Sequence, residues 1–144
     1  MKAINHIRLR FPSRSANEAF ARISIAAFAA QADPTVEEIS EIKTAISEAV
    51  TNSIVHGYQN TLGTITITAR LYDNGKMVVT IKDKGEGIED IHKAMEPLYT
   101  TGNSEERSGM GFTIMETFMD KVKVTSQRGN GTTVTLTKYI KPRP

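Results

Sequence analysis

The stretch Glu37–Gly57, EEISEIKTAISEAVTNSIVHG, constrains the fold more than any other part of the chain. Ile39, Ile42, Ile46, Val50 and Ile54 recur at steps of three or four residues. That spacing is the apolar stripe of a helix packed on a core. Glu48 and Asn52 are four residues apart and share one helix face beside the stripe. Their neighbours Ala45, Ala49 and Ser53 are small, which leaves room for a ligand against the helix. Gly57 is expected to close the helix in a left-handed conformation. Taken alone, a carboxylate and an amide on an amphipathic helix are an ordinary solvated pair.

The segments on either side decide the fold class. Residues 3–11 alternate, with Ile7, Leu9 and Phe11 on one phase, and read as a half-buried strand. Ser15 and Glu18 have capping-box spacing ahead of a helix to about Gln31, with Phe20, Ile23, Ala27 and Phe28 on its core side. Arg14, Glu18 and Arg22 fall on another face of that helix, open to solvent or a partner. Asp33-Pro34 reads as the start of the organising helix, with Asp33 as cap. From Gly63 the period becomes two: Ile65, Ile67, Ala69 and Leu71 alternate with polar residues, Asp73-Asn74-Gly75 marks a hairpin, and 77–81 is the return strand. A short helix is expected over 89–95 and a polar loop over 96–108. Gly109-Met110-Gly111-Phe112 opens another helix, and two strands follow around Gly129-Asn130-Gly131. This order implies an α+β fold, a two-layer sandwich whose mixed, mainly antiparallel sheet is covered on one face by helices. The strand after the last helix is compatible with either sense. The 144 residues fit one domain over 1–144, with a flexible tail from 140.

Composition narrows the function classes. A formal net charge of +2 with both signs interspersed gives no ground for direct nucleic-acid binding. No apolar run is long enough to span a membrane. Cysteine is absent, which excludes disulfides and thiolate metal sites and fits a cytoplasmic location. His6, His56 and His92 share no ligand spacing; His56 suits a helix C-terminus.

Three features fall at the ends of elements. Asn52 offers an amide oxygen of the type hard cations such as Mg2+ prefer, and Glu48 is one turn away, suited to accept a proton. Asp83-x-Gly85-x-Gly87 follows a strand: the carboxylate suits an exocyclic amine, and the glycines permit close approach of backbone to a planar ring. The N–H groups from Gly109 through Met110 and Gly111 to Phe112 suit phosphates at a helix start, with Arg107 as a charge-assisted donor. Each motif alone is weak, since none is a GxxxxGK[ST] loop or a GxGxxG fingerprint. Their joint occurrence in this order is specific.

These boxes resemble those of the GHKL superfamily, which includes gyrases, heat-shock chaperones, histidine kinases and mismatch-repair ATPases. Within it, SEAVTNSIVHGY, PLYTT and ERSGMGFTIME are similar to the sporulation anti-sigma serine kinases. The resemblance covers nearly the whole chain. It implies a cytoplasmic homodimer that holds a sigma factor of the sigma F type inactive. It also implies phosphorylation of a serine on an anti-anti-sigma protein by Mg2+ and ATP, leaving ADP. Carried over by position, Glu48 is the general base and Asn52 the magnesium ligand. Asp83 binds the adenine amine, with Gly85, Gly87 and Thr132 completing that pocket and the Thr132 hydroxyl supporting the aspartate. Arg107, Ser108, Gly109, Met110 and Gly111 wrap the phosphates, and Arg22 contacts the partner. Two other readings keep the same fold: a general-stress anti-sigma kinase, and a nucleotide-gated binding module without phosphotransfer. A histidine kinase would need a phosphoacceptor His on a helix ahead of the ATP-binding region, and none is present there.

Overall fold

The computed structural model describes residues 2–58, 61–85, 111–127 and 129–141. The helix expected over 89–95, the loop over 96–108, and Gly87, Arg107, Ser108, Gly109 and Met110 lie outside them.

Period-two patterning builds the sheet. Strands β1 (Ala3–Pro12), β2 (Thr64–Tyr72), β3 (Lys76–Asp83), β4 (Lys121–Gln127) and β5 (Gly131–Tyr139) pair in the order β1-β2-β3-β5-β4. All four pairings are antiparallel, which settles the sense of β4. Register places Leu9, Ile67, Ile81, Val134 and Val124 in one row across the five strands, facing the core. The next row, Arg10, Thr66, Lys82, Thr133 and Thr125, faces away from it. One face is thus apolar and covered while the other is polar, as antiparallel sheets allow.

Helices α1 (Ala16–Ala29), α2 (Val36–Asn52) and α3 (Gly111–Phe118) cover the apolar face, with α2 between the other two. Ile42, Ile46 and Val50 of α2 are fully buried, as their spacing predicts. Phe112, Met115 and Met119 are buried along one side of α3 and just beyond it.

The buried side of α1 differs from the expected one. Ala21, Ile25, Phe28 and Ala29 face inward, while Phe20 and Ile23 are 56% and 59% exposed and Ala27 is exposed too. Ala21 and Ala29 on the inner face are fully buried, and side chains this small permit close packing of a helix on its neighbours. The capping box at Ser15 is also not made. Ser15 is helical (φ −55°, ψ −35°) with no side-chain cap bond, and the Glu18 carboxylate lies instead 3.5 Å from Arg22 Nε.

The start of α2 shifts in the same way. Asp33 is left-handed (φ 53°) at the end of a 3-10 turn, Ala30–Ala32. Thr35 is the cap. Its Oγ1 accepts from the Glu38 N–H (3.0 Å), and Glu38 Oε1 accepts from the Thr35 N–H (2.9 Å), a reciprocal capping box. Glu38 Oε2 also accepts from the Lys141 N–H at 3.1 Å. The tail expected to be loose from 140 is therefore anchored through 141, with Ile140 buried and its N–H donating to the Gly75 carbonyl at 2.9 Å. Lys138 Nζ donates to Glu41 Oε1 (3.1 Å) and the Phe118 carbonyl (2.6 Å), which joins β5 to both α2 and α3.

Partial burial pushes the Glu38 pKa up, but the hydrogen bonds from Thr35 and Lys141 outweigh it and the net shift is downward. A lowered folded-state pKa contributes stability above the ordinary carboxylate range and loses it as pH falls through the folded value. Replacing Thr35 with Ala is expected to cost about 1 kcal/mol in denaturant unfolding at neutral pH. An unchanged midpoint would refute the cap's contribution.

Candidate functional site

The site is built where α2 ends against the end of β3. After Asn52 the helix widens into a π turn, Ser53–Gly57, closed by the Tyr58 N–H donating to the Ser53 carbonyl at 3.2 Å. Such a turn holds one residue more than an α turn and re-aims the chain beyond it. Gly57 is not left-handed, contrary to its expected role as a helix end. It is needed for proximity: a Cβ there would come within 3.0 Å of the Asp83 carboxylate.

Asp83 is the last residue of β3 and only 3% exposed. Ser53 Oγ donates to its Oδ2 at 2.8 Å, while the N–H groups of Gly85 (3.0 Å) and Thr132 (3.3 Å) donate to Oδ1. Burial pushes the Asp83 pKa up, and these three hydrogen bonds offset only part of that shift. A carboxylate offers about four acceptor positions, so the three donors among the described residues leave capacity for one more. Gly85 packs directly on the Gly57 carbonyl, where a side chain would overlap it.

The Thr132 hydroxyl does not support Asp83 as expected. It lies 2.8 Å from Ser126 Oγ, and the Thr132 main-chain N–H reaches the aspartate instead. Register explains this: Thr132 is directly opposite Asp83 on the neighbouring strand, so its backbone is the nearer donor.

Glu48 and Asn52 are half-buried on α2, the second next in sequence to Ser53. The Ser53–Asp83 hydrogen bond therefore ties the amide and the carboxylate of α2 to the end of β3. Gly111 is buried as the first residue of α3. Among the described residues no group of three His, Asp or Glu side chains could hold a metal unaided. Asn52, half-buried at the end of α2, carries an amide oxygen, a donor type that hard cations accept.

Arg22 is less open than its helix position implies. Its side chain is 35% exposed, and its Nε and the Glu18 Oε2 are both shielded from solvent, in charge contact without a hydrogen bond. Arg22 and Glu48 line the same groove of about 320 Å³ between α1 and α2, together with Ile39, Lys43, Thr44 and Ser47. Residues 26 apart in sequence thus meet on one surface.

In the sequence pattern Ser53 stands out only as a small residue, and Tyr58 has no assigned role. The signal for Ser53 was available: a hydroxyl on the buried side of a core helix must find a partner.

A family model described as a histidine kinase-like ATPase domain matches residues 11–138. The chain is 58% identical over 140 residues to an anti-sigma F factor of Caldanaerobacter subterraneus subsp. tengcongensis, covering 97% of each chain. It is 59% identical over 140 residues to an anti-sigma F factor of Thermoanaerobacter sp. strain X514, again covering 97% of each. Among solved structures, the RsbU and RsbW domains of Rv1364c from Mycobacterium tuberculosis superpose with a TM-score of 0.71 at 21% identity, over 97% of this chain and 33% of that one.

Proposed function

The chain belongs to the histidine kinase-like ATPase family and, within it, to the anti-sigma F factors, and on that premise we propose how its residues divide the work. It binds a sigma factor of the sigma F type and holds it from RNA polymerase. As a kinase it phosphorylates a serine of an anti-anti-sigma protein, at the expense of ATP and with Mg2+. It acts in the cytoplasm as a homodimer. No helix among the described residues is long and apolar enough to cross a membrane.

The observation that carries this reading is the Ser53–Asp83 contact at 2.8 Å. It sets a buried acceptor for an adenine amine beside the helix that bears Asn52 and Glu48. Asp83 accepts the amine, and Gly85 and Gly87 are the residues assigned to the backbone approach of the ring. Asn52 would hold the magnesium through its amide oxygen. Arg107, Ser108, Gly109, Met110 and Gly111, leading into α3, receive the phosphates. Bound Mg-ATP supplies an electrophilic γ-phosphoryl group with its charge partly neutralised. Glu48 takes the proton of the acceptor serine as that oxygen bonds to phosphorus and the bond to ADP breaks. The shared groove supports a route by which a partner held at Arg22 presents a hydroxyl to Glu48.

The test is phosphotransfer from labelled ATP and magnesium to proteins of a sporulating extract. One small acid-stable phosphoprotein supports the reading. An acid-labile product points to histidine chemistry, and no product despite ATP binding leaves a nucleotide-gated module. A second measurement addresses the partner face. Arg22→Ala is expected to weaken partner binding by about tenfold or more, as loss of a central interface arginine does, with nucleotide affinity intact. Loss of ATP affinity in that variant would refute the assignment of the face.

A further inference from the structure

The turn Asp83-Lys84-Gly85 is held by Tyr58, to which neither the sequence pattern nor the proposed chemistry gives a role. Tyr58 leaves the π turn and packs its ring against the core. Its hydroxyl accepts from the Lys84 N–H at 2.7 Å and donates to the Thr64 carbonyl at 2.9 Å. The ring lies against Gly63, where any side chain would overlap it. Gly63 is itself fixed: the Ser13 N–H donates to its carbonyl and its own N–H donates to Ser13 Oγ, both at 2.9 Å. One phenol thus joins the end of α2, the start of β2 and the residue after the buried carboxylate.

From this geometry we propose that Tyr58 is a positioning residue of the nucleotide pocket, its hydroxyl holding the Lys84 N–H so that Asp83 and Gly85 keep their nucleotide-competent arrangement. The inference rests on the reading of Asp83 as the base-binding residue. The Gly85 N–H caps Asp83 Oδ1, and the neighbouring Lys84 N–H is fixed by Tyr58. Two successive amides of the turn are therefore committed. Without the hydroxyl the Lys84 amide turns to water, and the turn spends part of its time in arrangements that do not bind. Apparent affinity falls by the competent fraction, while molecules that do bind react as before.

The test compares Tyr58→Phe, which keeps the ring against Gly63, with Asp83→Asn and the unmodified chain. Binding of a non-hydrolysable ATP analogue with magnesium, kinase kinetics, thermal unfolding and amide exchange at Lys84 are measured. Tyr58→Phe is expected to raise the analogue Kd and the KM for ATP about three- to tenfold, the effect of one hydrogen bond. Turnover should stay within about twofold, Tm within about 3 °C, and exchange at Lys84 should quicken. Unchanged Kd and KM would overturn the proposal. So would a large loss of Tm with normal affinity in the folded fraction, which would make Tyr58 merely structural. A freely exchanging Lys84 amide in the unmodified chain would overturn it without any variant. If Asp83→Asn also binds normally, the reading of the pocket fails and the role of Tyr58 falls with it. If Asp83→Asn alone loses binding, only the role of Tyr58 fails.

Discussion

Replacing Glu48 with Gln is expected to lower phosphoryl transfer by about 10²- to 10⁴-fold, the range for loss of a positioned general base. ATP affinity should stay within about threefold. Gln keeps the length and shape of the side chain, so the groove between α1 and α2 keeps its lining. What disappears is a group able to receive the serine proton. The split between binding and transfer makes the variant informative: kcat falls while nucleotide Kd does not. Single-turnover transfer to the purified acceptor is the measurement. Transfer at the parental rate would remove Glu48 from the chemistry. Loss of both transfer and ATP binding would mean that the carboxylate serves the pocket rather than the reaction.

Replacing Asp83 with Asn is expected to weaken nucleotide binding by about 100-fold or more while the fold survives. Asn accommodates the internal network: its oxygen can accept the Gly85 and Thr132 N–H groups, and its amide can donate to Ser53 Oγ, reversing that bond. Toward a ligand amine, however, it presents no charged acceptor, and a buried donor left facing a donor is costly. Stability should move the other way. The folded-state pKa of Asp83 is raised by burial, so its contribution is favourable in the protonated state and is lost as pH rises through that raised value. At neutral pH the ionised carboxylate is therefore a cost, and Asn removes it. The Tm of Asp83→Asn should equal or exceed that of the parent. In the parent, nucleotide affinity should decline on acidification at a higher pH than an ordinary Asp would give. Calorimetric titration across pH checks both. Parental affinity in the variant would refute the base-binding role.

The sheet was legible because period two is robust: each of Ile65, Ile67, Ala69 and Leu71 is buried. The α2 stripe was equally clear. What misled was α1, where alanine carries little hydrophobic signal and yet, on the inner face, sets how closely two helices approach. Neither expected side-chain cap is made: Ser15 precedes α1 without a cap bond, and the box of α2 forms at Thr35 rather than Asp33. Glu18 is engaged with Arg22, and Asp33 is left-handed two residues ahead of the reciprocal Thr35–Glu38 box. At the site, the residues that present chemistry lie in recognisable spacings. Those that hold them, Ser53, Gly57 and Tyr58, act across gaps of 26 to 30 residues, which no local pattern records.

The π turn has a consequence for how the chain can vary in length. An α-helix advances about 100° per residue, and a π turn is an α turn with one residue added. Removing a single residue from Ser53–Gly57 would let α2 run on with ordinary hydrogen bonds and no penalty to the helix itself. Everything after it would be rotated by about 100°, carrying Gly57 off Asp83 and Tyr58 off Lys84. A deletion invisible to helix stability would thus dismantle the pocket, whereas Thr61 and Leu62, both exposed and Leu62 at 57%, have room at the surface for changes of length. Tolerance to insertion and deletion should switch abruptly between these two adjacent segments, from none to considerable.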